Sequence, residues 1–211
     1  MDCVEVLEKN FDEVEEEESV DGQNVDNYIK HPLHNVWALW YFKNDKRNDW
    51  SANQKVIATF STVEDFWAVY NYIQSASKIA PGCDYSLFKE GIQPMWEDEN
   101  NRDGGRWLIN LDKRKRATEL DKFWLETLLC LIGEAFDELS DEICGAVVNI
   151  RPKGDKLGLW TRDASKKDAI IRIGKMLKIR LNISAEVTLE YQVHKDNSLK
   201  TGSVARCSYT V

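Results

Sequence analysis

The sequence has few cysteines and histidines, and their positions offer neither a metal site nor a disulfide framework. The five cysteines are scattered and include no Cys-x-x-Cys pair. This pattern is typical of reduced thiols in the cytosol or nucleus, several of them serving as small core residues. Two of the three histidines, His31 and His34, lie close to Pro32, where they cannot form a helical ligand pair. We therefore expect no metal and no cofactor.

Long apolar runs are also absent. The N-terminus is acidic, without a basic and apolar leader, and no run reaches the roughly 20 residues that a membrane-spanning helix needs. The formal net charge of -8 argues against broad binding to a phosphate backbone, but it is compatible with a local basic patch. The composition predicts a soluble protein with no membrane partner, located in the cytoplasm, with the nucleus as an alternative compartment.

Charge divides the chain into a tail and one domain. Residues 1–27 include Glu13 and the run Glu15-Glu16-Glu17-Glu18. Mutual repulsion and a low apolar content predict that this acidic N-terminal segment is disordered. Residues 28–211 are long enough for a single domain with a sizeable core.

Apolar periodicity predicts strands backed by three helices. Trp107, Ile109 and Leu111 occupy every second position and alternate with Arg106, Leu108 and Asn110, which is typical of a half-buried strand. Helices are predicted after the capping sequence Ser61-Thr62-Val63-Glu64, over residues 120–136, and after Ser165-Lys166-Lys167-Asp168. Neighbouring strands joined by hairpins indicate an α+β fold, in which a mainly antiparallel sheet leaves one face free for a ligand.

Tryptophan is the residue that the chain has in excess, with eight copies. Trp50 and Trp96 stand alone in polar loops, and Glu97 follows Trp96 directly. An aromatic face attracts a cation and a carboxylate accepts hydrogen bonds from N–H groups. Such a pair suits a flat, cationic, hydrogen-bonding ligand.

A basic hairpin adds a second kind of chemistry. Arg151, Lys153 and Lys156 cluster around a turn, and Trp160 lies on the strand that follows. Each feature alone is typical of a solvated surface. Together with the loop aromatics and Glu97, they describe a ligand with a cationic flat ring and an attached polyphosphate, the form of N7-methylguanosine triphosphate.

The sequence resembles the eukaryotic translation initiation factor 4E family, the messenger-RNA cap-binding proteins. The resemblance extends from about Tyr28 to the C-terminus. The motifs that carry it are His31-Pro32-Leu33, Thr62-Val63-Glu64-Asp65-Phe66-Trp67, Pro94-Met95-Trp96-Glu97-Asp98, Gly104-Gly105-Arg106-Trp107, Trp124-Leu125-Glu126-Thr127-Leu128-Leu129 and Cys144-Gly145-Ala146-Val147-Val148-Asn149. It implies a curved antiparallel sheet with the cap pocket on its concave face and three helices on its convex face.

The resemblance implies a role for each candidate site residue. Trp50 and Trp96 would sandwich the methylated base of 7-methylguanosine-capped mRNA. Glu97 would accept the guanine N1–H and N2–H bonds, and Trp160 would pack against the N7-methyl group. The residues implied to contact or support the phosphates are Arg106, Arg151, Lys153 and Lys156.

The resemblance also implies a partner surface on the convex side. There a scaffold initiation factor and 4E-binding repressor proteins would dock a helix with a Tyr-x-x-x-x-Leu-hydrophobic motif, the chain itself being a monomer within a larger initiation complex. Ser203 matches a phosphorylatable serine, although the residues around it are less similar. The residues implied for the partner surface are His31, Pro32, Val63, Trp67, Glu126 and Leu129.

Three other classes of protein are alternatives to a cap-binding initiation factor: a glycosidase, a carbohydrate-binding module and a repressor paralogue. A glycosidase needs two carboxylates with different pKa values across a sugar-binding gap, whereas the acids around Glu97 are sequence neighbours; an enzyme is therefore rejected. A carbohydrate-binding module would use exposed tryptophans, but a sugar gains nothing from Arg151 and Lys156. A paralogous cap-binding translational repressor remains open as an alternative.

Overall fold

An eight-stranded antiparallel sheet forms the centre of the fold. The computed structural model describes residues 29–45, 47, 51–195 and 207–211, so Trp50, Ser203 and the acidic segment 1–27 lie outside the described residues. The sheet order is β2-β1-β3-β5-β6-β4-β7-β8, and every neighbouring pair is antiparallel. The strands are β1 (Pro32–Phe42), β2 (Gln54–Thr62), β3 (Asp84–Lys89), β4 (Gly105–Asp112), β5 (Ile143–Asn149), β6 (Gly154–Thr161), β7 (Glu190–Val193) and β8 (Cys207–Thr210).

Three α-helices cover one face of the sheet in the described part of the chain: α1 (Val63–Tyr72), α2 (Asp121–Ile132) and α3 (Lys167–Arg180). Short 3-10 turns span Ser51–Asn53, Ala76–Lys78, Lys113–Lys115 and Asp137–Glu142, and a π-helical turn spans Arg116–Leu120. The predicted α+β architecture, a curved antiparallel sheet with helices on its convex face, is confirmed.

The main core lies between the sheet and the helices. Phe66 of α1, Trp124 of α2 and Ile173 of α3 belong to one buried cluster with Trp107 of β4 and Tyr191 of β7. Trp107, Ile109 and Leu111 are all buried, as their alternation predicts. Because side chains alternate across a strand, the residues between them point to the opposite face, which we call the open face.

A second, smaller cluster lies on the open face. It consists of Phe88, Ile92, Cys144, Val147 and Trp160. The cluster belongs to β3, β5 and β6 and to the start of the β3–β4 loop, residues 90–104. This loop is therefore packed onto the open face rather than standing away from it.

The helix boundaries differ from the predicted ones at three points. α1 is capped by Thr62, which accepts from the Asp65 backbone N–H at 3.2 Å, one residue later than predicted. α2 ends at Ile132 rather than at residue 136, because Gly133 follows and Glu134 adopts a positive φ of 51°. The predicted serine cap of α3 is wrong, since the Ser165 hydroxyl donates to Asp163 at 2.7 Å.

Two expectations from composition concern the cysteines and the length of apolar helices. Cys83, Cys130 and Cys144 are buried free thiols, as predicted for small core residues. Among the described residues, no helix is both long and apolar enough to cross a membrane.

Candidate ligand-binding site

The floor of the candidate site lies on β4 and β6. Strand register places Arg106 directly opposite Trp160, and Asn110 opposite Lys156. Trp160 is buried and meets Phe88 edge-on, with ring centroids 5.5 Å apart. Between Trp160 and Lys156 lies Gly158, which has no side chain to cover the strand. The floor therefore presents an aromatic ring and two basic side chains around an uncovered patch of strand.

Arg106 supplies positive charge from within the floor. Its Nη2 lies 3.5 Å from Oε1 of Gln192 on β7, and its Nε atom is buried without a partner in the described structure. Burial lowers the pKa of Arg106 from its usual value, but a guanidinium stays charged at any physiological pH. Arg106 is thus a part-buried positive charge on the floor, and its role toward the phosphates stays a prediction.

The β3–β4 loop carries Trp96 and Glu97 and is held by two polar side chains. The Asp98 carboxylate accepts from the backbone N–H groups of Gln93 and Asn100, each at 2.9 Å. Asn101 is fully buried, and its amide donates to the backbone oxygens of Gln93 and Met95 at 2.8 and 2.9 Å. These bonds satisfy loop backbone groups that no strand pairs, so the loop has a defined shape.

Trp96 and Glu97 stand at the exposed side of this loop. Trp96 is 44% exposed, which is unusual for so large an apolar ring. Its indole N–H donates to the Glu97 carboxylate. In this structure Trp96 and Glu97 are therefore bonded to each other, and a ligand N–H that bound Glu97 would compete with the indole.

The β5–β6 hairpin carries three of the predicted phosphate-binding residues: Arg151 and Lys153 in its connection and Lys156 on β6. Arg151 forms a two-point ion pair with Asp84 of β3, while Lys153 and Lys156 are exposed. Asp155 stabilises the connection, because its buried carboxylate accepts a hydrogen bond from the Arg151 backbone N–H at 3.0 Å. Asp155 also pairs with Arg116 through two bonds of 2.6 and 2.7 Å.

The predicted partner surface lies on the helix side, around the start of α1. The Val63 backbone N–H donates to the His31 carbonyl at 2.9 Å, and the His31 ring lies 2.6 Å from the Glu64 carboxylate. The His31 ring and the His31 backbone N–H both bond the Glu64 carboxylate and hold its pKa below its usual range. Trp67 is 36% exposed and meets Phe66 edge-on. The six residues predicted for this surface are all at least partly exposed: His31, Pro32, Val63, Trp67, Glu126 and Leu129.

The structure brings three of the predicted ligand-site residues to the open face, whereas the predicted partner residues lie on the helix side. Arg106, Lys156 and Trp160 lie on the open face, with the β3–β4 loop and the β5–β6 connection at its margins. Sequence reasoning missed the buried and part-buried polar residues that hold these parts in place, because most of their partners are distant in sequence. Those residues are Asp84, Asn101, Arg116, Asp155 and His194.

The cleft beside the end of β4 does not coincide with the predicted site. It has a volume of about 530 Å³ and is lined by Leu111, Phe123, Ile183 and Val187 among others, but it contains none of the predicted site residues. Within the described ranges, no group of three or more histidine, cysteine, aspartate or glutamate side chains could hold a metal ion.

Comparison with known proteins places this geometry in a family. The family model described as eukaryotic initiation factor 4E matches residues 32–207. The chain belongs to this family. Eukaryotic translation initiation factor 4E of Aplysia californica is 60% identical over 199 residues, covering 94% of this chain and 91% of that protein.

Solved structures of the 4E family superpose on the whole domain. The complex of Ascaris suum eIF4E-3 with the m2,2,7G cap has a TM-score of 0.82 at 53% identity, covering 87% of this chain and 99% of its own. The complex of C. elegans eIF4E-3 with the 4E-binding protein Mextli and a cap analog has a TM-score of 0.80 at 51% identity, covering 87% and 100%. Both comparisons support the fold and the family membership described above.

Proposed function

We propose that this chain binds the 7-methylguanosine 5' cap of mRNA and recruits a scaffold protein to start cap-dependent translation. One observation carries the proposal: in a member of the 4E family, the open face combines a buried tryptophan, two basic side chains and a loop with an exposed Trp-Glu pair. The cytoplasm, where translation starts, is the proposed location. No chemical step is proposed, because cap recognition is binding.

Base recognition is proposed for the loop residues and Trp160. Methylation at N7 places positive charge in the guanine ring, so a ring stacked on Trp96 gains about 0.5–2 kcal/mol from each cation–π contact. The predicted second face of that sandwich, Trp50, stays a prediction. Glu97 would exchange its bond with the Trp96 indole for charge-assisted bonds to N1–H and N2–H, worth roughly 1.5–3 kcal/mol. Trp160 would lie against the N7-methyl group.

Phosphate recognition is proposed for the basic residues at the end of the open face. Arg151 is held by Asp84 and still partly exposed, while Lys153 and Lys156 are exposed. Arg106 would add charge from beneath. Because these contacts are close to solvent, their contribution should fall as salt rises.

A domain made of residues 28–211 is proposed to do this binding. The first 28 residues contain eleven acidic residues and one lysine, a net charge of -10. The whole chain has 28 basic and 36 acidic residues, so 27 basic and 25 acidic residues remain from Ile29 onward, a net charge of +2. The overall acidity therefore comes from the N-terminal segment and does not oppose phosphate binding by the domain itself.

Scaffold recruitment is proposed for the surface around His31, Val63 and Trp67. Related structures contain the 4E-binding protein Mextli or a 4E-BP. An apolar strip formed by half-exposed residues of α1 and α2 suits the apolar face of an amphipathic helix. Ser203 stays a predicted phosphorylation site.

The experiment that tests cap binding is a titration of the full chain monitored by tryptophan fluorescence. 7-Methylguanosine triphosphate should quench the fluorescence at much lower concentration than GTP, which retains stacking but lacks the ring charge. Since related structures hold either an m7G or an m2,2,7G cap, the trimethylated nucleotide belongs in the same series. Equal affinity for 7-methyl-GTP and GTP would refute the proposal, and preference for an oligosaccharide would favour the carbohydrate-binding class.

A further inference from the structure

A buried histidine links the loop that carries Trp96 to the floor that carries Trp160. His194 follows β7 and is 3% exposed. Its ring centroid lies 4.3 Å from the Trp160 ring, and its Nδ1 lies 2.8 Å from the backbone oxygen of Asn101 in the β3–β4 loop. One side chain therefore contacts both halves of the candidate site.

The chemistry of this contact defines the state of the histidine. A carbonyl oxygen can only accept, so the bond to Asn101 requires the proton on Nδ1 and leaves Nε2 bare in the neutral ring. Burial lowers the pKa of His194 to about 4, against the opposing effect of the Asn101 bond, and the nearby charge of Arg106 lowers it further. The His194 ring is therefore neutral at pH 7, and its one N–H donor, at Nδ1, is directed to the Asn101 carbonyl.

Asn101 also contacts the backbone directly before Trp96 and Glu97. Its amide donates to the Met95 backbone oxygen at 2.9 Å, and Met95 directly precedes Trp96. The same loop is tied at its far end, where the His194 backbone N–H donates to the Gly104 carbonyl at 3.1 Å. A shift of His194 against Trp160 would thus be passed to the position of Trp96.

We propose that His194 and Asn101 are positioning residues, which set the distance between the Trp96–Glu97 pair and Trp160 and so determine how tightly the site holds a flat methylated base. This inference rests on the proposed function, since the base is that of the cap. Neither residue is proposed to touch the ligand. Their effect should fall mainly on the base, because His194 and Asn101 connect the Trp160 ring with the β3–β4 loop, whereas Arg151 and Lys153 lie in the connection between β5 and β6.

Four variants separate the parts of the proposal. His194→Phe keeps a ring against Trp160 but removes the Nδ1 donor, whereas His194→Asn keeps a donor and removes the ring. Asn101→Ala removes both bonds to the loop backbone. His34→Phe, at an exposed position of β1, is the matched control for the same substitution away from the site.

Nucleotide affinities give the first readout. His194→Phe and Asn101→Ala should each weaken 7-methyl-GTP binding about tenfold, the order of one buried hydrogen bond. The affinity for 7-methyl-GMP should fall by the same factor as the affinity for 7-methyl-GTP. The ratio of the affinity for 7-methyl-GTP to that for GTP should become smaller. The double variant should be little weaker than either single one, because both remove the same connection. His194→Asn should recover part of the loss, and His34→Phe should bind normally.

Hydrogen exchange of the ligand-free protein gives a second readout that does not depend on cap binding. Backbone amides of the β3–β4 loop should exchange faster in His194→Phe and in Asn101→Ala than in the unaltered chain. Unchanged exchange and unchanged affinity in folded variants would overturn the proposal. So would a parallel loss of affinity for a scaffold-motif peptide, since that would show a general role in folding. If the unaltered chain fails to prefer 7-methyl-GTP, the proposed function fails, and loop exchange alone decides whether the positioning contact exists.

Discussion

Arg151 and Asp84 form a two-point ion pair between the β5–β6 connection and β3, and the arginine side chain stays 37% exposed. The second of the two contacts, from Nη2 to Oδ2, measures 3.0 Å. Burial raises the pKa of Asp84, and the adjacent guanidinium opposes that rise. The ion pair holds the Nη1 and Nη2 atoms in place, and the exposed remainder of the guanidinium is proposed to bind a phosphate. Less side-chain entropy would then be lost on binding.

Substitutions in the β5–β6 hairpin should separate triphosphate from monophosphate binding. Lys156→Ala and Arg151→Ala should each weaken 7-methyl-GTP more than 7-methyl-GMP, because the lost contact is to the added phosphate charge. The difference should shrink between low and high salt, since exposed charges are screened. Lys156→Ala is the cleaner variant, because Arg151→Ala also leaves the Asp84 carboxylate without its partner. Lys122→Ala on α2 serves as the control for losing one exposed lysine; an equal loss for both nucleotides would point to a folding role.

The buried Asp155 should matter more for stability than for charge at the surface. Its carboxylate is fully buried and bonds both Arg116 and the Arg151 backbone. Asp155→Asn leaves Arg116 buried without a counter-charge, which costs on the order of 3–5 kcal/mol in the free energy of unfolding. Urea denaturation of the purified variants measures this cost. Asp112→Asn is the matched control, because its pair with Arg114 is exposed; similar losses in both variants would contradict the assigned role.

The parts of the structure that local sequence determines were the predictable ones. Trp107 and its alternating neighbours on β4 predicted a strand correctly, because period-two burial is readable from one segment. The start of α1 was misplaced by one residue, because Thr62 pairs with Pro32 in the sheet and so extends β2. Serine and threonine are both suitable caps, and serine is the more common one, so propensity alone favours Ser61 and the strand pairing of Thr62 decides the outcome.

The supporting residues of the candidate site were beyond sequence reasoning for a different reason. The contact between Asp84 and Arg151 exists because β3 lies beside β5 with Asp84 opposite Asn149. Similarly, His194 reaches Asn101 only because β7 lies beside β4. Strand order and register are global properties, so isolated acidic or histidine residues in the sequence give no indication of such partners. Trp96, by contrast, could be singled out as a candidate because an isolated tryptophan in a polar loop is anomalous wherever the loop lies, and its 44% exposure agrees with that placement.

Acid should destabilise the fold partly through His194. The pKa of this buried imidazole is about 4 in the folded chain, against an ordinary value of about 6.5, so the unfolded state binds the proton more readily between these values. Its contribution is therefore fully present above about pH 6.5 and is lost as the pH falls towards 4, by up to roughly 3 kcal/mol. The check is urea denaturation from pH 7 to 4.5 for the unaltered chain and for His194→Phe. The variant should lose less stability over this range, and parallel curves would contradict the assignment.

Trp67 should separate the partner surface from the ligand site. It lies on the outer side of α1, 36% exposed, with its ring 5.0 Å from that of Phe66 and 5.9 Å from that of Tyr70. A large ring held by its neighbours and still open to solvent is a suitable anchor for a partner helix, and truncation of such a residue typically costs about 2 kcal/mol or more of binding energy.

Trp67→Ala should therefore weaken binding of a peptide with the Tyr-x-x-x-x-Leu-hydrophobic motif at least about thirtyfold, the equivalent of about 2 kcal/mol. The affinity for 7-methyl-GTP should change little, because the sheet lies between α1 and the open face. Both ligands are titrated into the same folded variant, whose thermal midpoint is measured beside that of the unaltered chain. Ile179→Ala, at an exposed apolar position of α3, controls for the loss of surface area alone. Retained peptide binding would show that Trp67 is not an anchor, and a parallel loss of nucleotide binding would show that it supports the core.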